Sequence, residues 1–158
     1  MRFSSLMDFL LNSTEGEVMQ LDLQKKATEL LKKQEGFRGR PYRCPAGKLT
    51  IGYGRNLDDN PLTQQEGEFL LQGDIAKAGE QLQHEFFWSK LDNTRKSVLI
   101  SMVINMGYRG YFMFQKMRSA LDRGDYNEAA NQILASKMAT QTGNRAASIA
   151  EMMRKGDE

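Results

Sequence analysis

The chain has few of the residues on which several large classes of protein depend. It contains one cysteine among 158 residues, so no intramolecular disulfide can form and the fold requires no oxidising compartment. Its one histidine, His84, excludes a metal site built from several histidines. No stretch approaches the roughly 20 apolar residues that a membrane-spanning helix needs. The apolar N-terminal stretch is interrupted by Asp8 and lacks a small-residue cleavage site, so we predict neither a signal peptide nor stable membrane insertion.

The overall composition indicates one globular domain of modest charge. With 40% hydrophobic residues and no repeat or low-complexity linker, the chain is long enough to bury a core of its own. The net charge of +2 implies only weak attraction to anionic polymers. Basic residues are interspersed with acidic ones, so we expect no nucleic-acid partner. Nothing in the sequence indicates more than a monomer.

The first 21 residues differ in character from the rest of the chain. We place a boundary near residues 20–22 and interpret residues 1–21 as an N-terminal appendage and residues 22–158 as the main domain. Leu6, Phe9 and Leu10 give the appendage an apolar side. Two alternatives stay open, namely a short helix that docks on the main body and a frayed terminus.

Apolar spacing predicts a mainly helical fold. The first helix is expected to begin at an Asp22 N-cap and to end at Gly36. A Thr63–Glu66 capping box opens the next predicted helix. The later helices are expected at Thr63–Gln81, Asp92 to Gly107, Phe114–Leu121, Tyr126–Leu134 and Arg145–Met153.

One segment carries a β signal. Leu49, Ile51 and Tyr53 alternate with polar or small residues, as in a half-buried strand. We expect Tyr42 to begin the partner strand and residues 44–48 to form the turn. The predicted fold class is therefore α+β, predominantly α-helical, with one small β-hairpin.

The end of the first predicted helix is a candidate catalytic site. A carboxylate at a helix C-terminus lies at the negative end of the helix dipole, which disfavours ionisation and suits a general acid. Glu35 has this position, and the hairpin can bring Cys44 and Thr50 towards it. The alternative is a solvated glutamate before a helix-ending glycine.

The spacing of these residues resembles the catalytic motif of the phage T4 type lysozymes, glycoside hydrolase family 24. Eight residues separate Glu35 from Cys44, five separate Cys44 from Thr50, and Thr50 begins a Thr-Ile-Gly-x-Gly run. Far downstream, residues 141–146 resemble the family's Gln-Thr-x-Asn-Arg-Ala segment. The resemblance covers roughly residues 23–156.

The resemblance implies a two-lobe lysozyme-like fold. The small lobe would span about residues 35–62, and the helical lobe about residues 82–158 together with the N-terminal helix, with the helix Thr63–Gln81 joining them. It implies hydrolysis, without a cofactor or metal, of the β-1,4 bond between N-acetylmuramic acid and N-acetylglucosamine in bacterial peptidoglycan. Such an endolysin waits in the host cytoplasm until a holin releases it.

The resemblance also implies residue roles. Glu35 would protonate the leaving oxygen, and Thr50 would help to hold the attacking water. Arg145 would pair with the catalytic glutamate, or would instead cap or salt-bridge at a helix start. Asn105 and Gln132 lie where family members contact sugar.

Two departures from the family pattern bear on activity. Cys44 stands where most members have Asp, and Arg55 stands where His usually follows the glycine motif. A thiolate can offer negative charge or hydrogen-bond a water much as a carboxylate does, so we expect Cys44 to be catalytic; the alternative is a small buried apolar residue. These departures keep open a degenerate domain that binds peptidoglycan without cleaving it. A virion tail-associated lysozyme is a second alternative to the endolysin.

Overall fold

The computed structural model describes residues 4–137, 139 and 143–157, with side chains described from residue 16 onwards. The chain divides into two compact units, residues 1–63 and residues 64–158. The first unit holds one long helix and the whole sheet, and the second is helical. The α+β, predominantly helical class predicted from the sequence is confirmed. The structure places the N-terminal helix in the sheet-containing unit, whereas the family resemblance had implied a place in the helical lobe.

Helix α1 spans Ser4–Glu35 without interruption. The predicted start at Asp22 is therefore wrong. Asp22 lies within the helix, where its carboxylate pairs with Lys26 Nζ one turn later at 2.8 Å. No proline interrupts residues 4–35, so nothing in the local sequence ends the helix at the proposed boundary. No helix in the described part of the chain has a stretch long and apolar enough to cross a membrane.

Three antiparallel strands follow α1 in the order β1 (Arg38–Arg43), β2 (Leu49–Gly52) and β3 (Arg55–Asn56). Strand β1 therefore lies at an edge of the sheet and β2 at its centre. The predicted turn is confirmed, because Cys44 N donates to Lys48 O at 3.0 Å and Gly47 N to Cys44 O at 2.8 Å. The predicted partner strand was misplaced, because Tyr42 lies near the end of β1 rather than at its start.

The second unit contains helices α2 (Gln64–Leu82), α3 (Asn93–Phe112), α4 (Gln115–Asp122), α5 (Tyr126–Leu134) and α6 (Asn144–Lys155), with a 3-10 turn at Trp88–Lys90. All five helices fall close to their predicted positions. Their facing sides bury the core of this unit, whose largest fully buried side chains include Leu82, Leu99, Met102, Met117, Leu121, Ile133 and Met153. Apolar burial of this kind is the main stabilising contribution to a helical unit.

Side-chain caps and glycines set the helix ends. Asp92 caps α3 by accepting from Arg95 N at 2.8 Å, and Asp125 caps α5 by accepting from Glu128 N at 2.9 Å, as the sequence predicts. Gly107 was expected to end the helix that begins after Asp92. It instead makes a kink inside α3, with φ 75° and ψ 158°, and helical structure resumes through Phe112.

Candidate active site

Glu35 is the last residue of α1 and lies against the backbone of Gly54. The helix ends there because Gly36 takes the left-handed conformation, with φ 65°. Gly54 also has a positive φ, 76°, and a Cβ atom built on it would lie 2.8 Å from Glu35 Oε2. A larger residue here would be strained by the backbone conformation and would displace the exposed Glu35 side chain. The last glycine of the Thr-Ile-Gly-x-Gly run thus admits the candidate acid, a role that the motif spacing did not predict.

Cys44 and Thr50 come together at the turn end of the β1–β2 hairpin. Thr50 is 3% exposed in the central strand, where it pairs with Tyr42 on one side and Asn56 on the other. A backbone hydrogen bond from Lys48 lowers the pKa of the Cys44 thiol; partial desolvation opposes this effect, and the Thr50 hydroxyl reinforces it.

The Thr50 hydroxyl can donate to the Lys48 carbonyl as well as to the Cys44 sulfur. Its Oγ1 lies 3.0 Å from Lys48 O and donates to it. A hydroxyl carries one proton and accepts through its lone pairs, so it can turn from the carbonyl to a sulfur or a water without moving the strand. A polarised thiol beside a rotatable hydroxyl is chemically suited to orienting a water molecule.

Aromatic contacts position the segment that follows Glu35. The rings of Phe37 and Tyr53 are tilted against each other with centroids 5.4 Å apart, and Lys32 Nζ lies 5.6 Å from the Tyr53 ring centroid. These contacts join the end of α1 to the residue before Gly54. The candidate acid therefore lies on a segment tied to the sheet by side-chain packing as well as by the chain.

Arg55 stands where the family resemblance led us to expect histidine. Its Nε donates to Asn60 O at 3.0 Å and its Nη2 to Pro61 O at 2.7 Å. The guanidinium thus holds the loop that leads from β3 towards α2. No local sequence pattern predicted this role.

In the second unit, the remaining predicted residues line one cavity of about 900 Å³. Asn105 on α3, Gln132 on α5 and Arg145 on α6 all contribute to its wall. Asn105 Nδ2 donates to Ser101 O at 2.6 Å, and Gln132 Nε2 donates to Glu128 Oε1 at 2.6 Å. Both amides are therefore oriented by their own helices before any ligand arrives. Gln141 and Thr142, which belong to the downstream motif, lie outside the described residues.

Methionines supply much of the apolar wall of the same cavity. The four that line it are Met102, Met106, Met113 and Met117. Met113 is 73% exposed, so it is accessible to a ligand. Unbranched thioether side chains adapt to irregular ligand surfaces. Met102 and Met117 are fully buried core residues, as i, i+4 apolar spacing on a helix predicts, so the accessible methionines of this wall are Met106 and Met113.

The predicted site residues thus form two groups. Glu35, Cys44 and Thr50 belong to the first unit, and Asn105, Gln132 and Arg145 line the cavity of the second. The predicted pairing of Arg145 with Glu35 stays a prediction. Among the described residues, no three carboxylate, thiol or imidazole groups are arranged to hold a metal ion.

Comparison with known proteins identifies the family of the chain. The phage lysozyme family profile matches residues 32–155, which include both groups of site residues. An endolysin of Acyrthosiphon pisum secondary endosymbiont phage 1 is 30% identical over 129 residues, covering 79% of this chain and 86% of the relative. A probable T4-type lysozyme of Dictyostelium discoideum is 24% identical over 158 residues, covering 81% and 93%. A SAR-endolysin of Bacteriophage PS119 is 28% identical over 103 residues, covering 63% of this chain and 60% of the relative. On the extent of the profile match, the chain belongs to the phage lysozyme family.

Proposed function

We propose that this protein is a muramidase that hydrolyses the β-1,4 bond between N-acetylmuramic acid and N-acetylglucosamine in peptidoglycan. The observation that carries the proposal is the contact between the Glu35 carboxylate and the Gly54 backbone. It joins the first and last elements of the catalytic motif in space, although 18 residues separate them.

The proposed reaction uses three groups of the first unit. Glu35 donates a proton to the glycosidic oxygen as the bond from that oxygen to the anomeric carbon breaks. A water held by the Thr50 hydroxyl adds to the anomeric carbon, and its proton passes to the Cys44 thiolate. The lowered pKa of the thiol supports this part, because it increases the fraction of thiolate near neutral pH.

The cavity of the second unit is the proposed sugar-binding surface. Glycans need polar groups that orient hydroxyls and amides beside apolar surface that packs on the pyranose faces. Asn105 and Gln132 supply the former, and Met106 and Met113, the accessible methionines of the wall, supply the latter. Arg145, in the first turn of α6, would support the catalytic glutamate electrostatically.

The test is the release of reducing ends from purified peptidoglycan, followed by mass spectrometry of the fragments. The wild type should yield fragments with N-acetylmuramic acid at their reducing ends. Glu35→Gln should lower the rate by about 100-fold or more, since a general acid contributes 10²–10⁴-fold. Glu29→Gln is the matched control, because Glu29 is exposed on the same helix and lies outside the motif.

Two outcomes would count against this function. Fragments ending in N-acetylglucosamine would place the cut at the other bond. No cleavage by the folded wild type, with its binding to peptidoglycan retained, would favour a non-catalytic binding domain. Circular dichroism of each variant separates a chemical defect from a folding defect.

We further propose that the protein serves host lysis, a proposal supported by its similarity to a protein of the endosymbiont phage that is named an endolysin. It would then remain in the host cytoplasm until a holin opened the membrane. Induced expression should leave bacteria intact until chloroform or a cloned holin permeabilises the inner membrane. Prompt lysis without either agent would contradict holin dependence, and recovery of the protein in purified virions would favour the tail-associated alternative.

A further inference from the structure

Basic residues are concentrated around the candidate active site. Residues 32–55 contain seven Lys and Arg residues and one acidic residue, Glu35, whereas the rest of the chain carries more acidic than basic residues. The interpretation of the basic residues as evenly interspersed with acidic ones is therefore wrong over this segment. The small net charge of the whole chain hides a strongly positive sheet.

Several of these cations already have partners. Lys48 Nζ pairs with Asp59 at 2.9 Å, the Arg55 guanidinium holds the loop to Pro61, and Arg43 Nη1 donates to Gly47 O at 2.8 Å. Arg38 and Arg40 differ, because no carboxylate in the described part of the chain pairs with either one. Both are exposed on β1. Their charge is therefore available to an external anion.

The structure holds Arg38 ready for such an anion. Its guanidinium carbon lies 4.3 Å from the Tyr42 ring centroid, a stacking contact that restricts the side chain while leaving its donors accessible. A cation ordered before binding loses less conformational entropy when a ligand arrives.

Arg40 lies at an irregularity of the edge strand. The register runs from Arg38 opposite Gly52 to Tyr42 opposite Thr50, so β1 has more residues than β2 over this interval. Pro41 contributes to the disruption because it has no N–H to donate. Bulges beside active sites commonly re-aim a side chain, and here the bulge includes an exposed arginine.

We propose that Arg38 and Arg40 bind free carboxylates of the peptide stems in peptidoglycan. The inference rests on the proposed function and extends it from the glycan to the peptides that the glycan carries. Two planar guanidinium forks match carboxylates in geometry as well as charge. Their strand begins three residues after Glu35, so a bound peptide would help to hold the glycan near the candidate acid.

The test measures binding to three insoluble substrates in a Glu35→Gln background, which prevents cleavage during the experiment. The first is intact sacculi, and the second is sacculi whose carboxylates have been converted to methylamides. The third is glycan stripped of peptides by an amidase, which leaves a carboxylate on the sugar itself. We compare Arg38→Gln/Arg40→Gln with Lys90→Gln/Arg109→Gln, a control that removes the same charge from exposed positions of the second unit.

On intact sacculi, the Arg38/Arg40 variant should bind about three- to tenfold more weakly than the control, as expected for the loss of two exposed charge pairs. The difference should disappear on methylamidated sacculi and be small on stripped glycan. The affinity of Arg38→Lys/Arg40→Lys for intact sacculi should fall between those of the Arg38→Gln/Arg40→Gln variant and the control variant. Lysine keeps the positive charge but lacks the planar guanidinium that can bind both oxygens of a carboxylate. Thermal unfolding checks that the variants fold.

Three results would overturn the inference. Equal binding of the two neutralised variants to intact sacculi would remove the arginines from recognition. Equal weakening on stripped glycan would assign them to the sugar carboxylate, and equal weakening on duplex DNA, measured as an additional ligand, would make them a general polyanion surface. Because binding needs no cleavage, a wild type that binds in this pattern without cutting would refute only the proposed hydrolysis.

Discussion

Gly54→Ala tests whether the close approach of Gly54 to Glu35 serves catalysis. An alanine here faces two costs. A non-glycine residue at a φ of 76° costs about 1–2 kcal/mol of folding free energy. Its methyl group also begins 2.8 Å from Glu35 Oε2, so the carboxylate must move by roughly half an ångström or more to regain ordinary van der Waals separation.

Gly52→Ala is the matched control. Gly52 belongs to the same motif and has a similar φ, 67°, yet no heavy atom lies within 4 Å of a Cβ atom built on it. Both variants should lose about 1–2 kcal/mol in urea unfolding, which corresponds to about 2–8 °C in Tm for a chain of this size. Only Gly54→Ala displaces the candidate acid.

The Gly54→Ala and Gly52→Ala variants should therefore differ in kcat. Displacement of a catalytic group by a fraction of an ångström to one ångström lowers rates by up to about 100-fold, so kcat for Gly54→Ala should fall about 10- to 100-fold below that for Gly52→Ala. The assay is reducing-sugar release at saturating peptidoglycan, below the unfolding range of both variants. Equal kcat values for the two alanine variants would refute the idea that Gly54 positions Glu35.

The remaining predictions concern Cys44 and Asp92. Cys44→Asp should retain glycosidase activity and Cys44→Ala should lose most of it; full activity of the alanine variant would remove the thiol from the mechanism. Because hydrogen bonds lower the Cys44 pKa, inactivation by iodoacetamide should accelerate as pH rises through a midpoint below that of free cysteine, and a midpoint at or above it would contradict the structure. Asp92→Ala should cost about 0.5–2 kcal/mol by removing the α3 cap, measured by urea unfolding at pH 7. Partial burial raises the Asp92 pKa, but hydrogen bonds from Arg95 outweigh it and the net pKa is lowered, so this stabilisation should be present above the ordinary carboxyl pKa and lost as pH falls through the lowered value. Unfolding curves for Asp92→Ala and wild type that stay equally far apart down to pH 2 would contradict that assignment.

Local signals predicted most of the helical architecture. Asp125 lies where a capping aspartate precedes an apolar repeat, and α5 begins and ends at the predicted residues. Such signals act over one or two turns of chain, and the sequence contains them directly. The same locality explains the misjudged start of α1, since Asp22 has the character of a cap but nothing before it ends the preceding helical turn.

Gly107 shows that tertiary packing can override a local signal for the end of a helix. A glycine at the end of an apolar helical pattern predicts a C-terminus, and Gly107 does have a positive φ of 75°, although its ψ of 158° is extended and not that of a left-handed helical cap. The chain nevertheless resumes a helix and buries Tyr111 completely. The burial of residues beyond the glycine determined that outcome, and burial depends on partners distant in the sequence.

In the candidate site, too, some features could be predicted from the sequence and others depended on the tertiary structure. The spacing of Glu35, Cys44 and Thr50 could be read from the sequence, because a motif is a one-dimensional pattern. The Glu35–Gly54 contact and the common cavity of Asn105 and Gln132 depended on the tertiary structure. So did the choice of which arginines have no carboxylate partner within the described part of the chain, since pairing joins residues that only folding brings within reach. The sequence by itself therefore determined the helices, the hairpin and the identity of the candidate acid, whereas side-chain proximity across the fold decided what surrounds each of them.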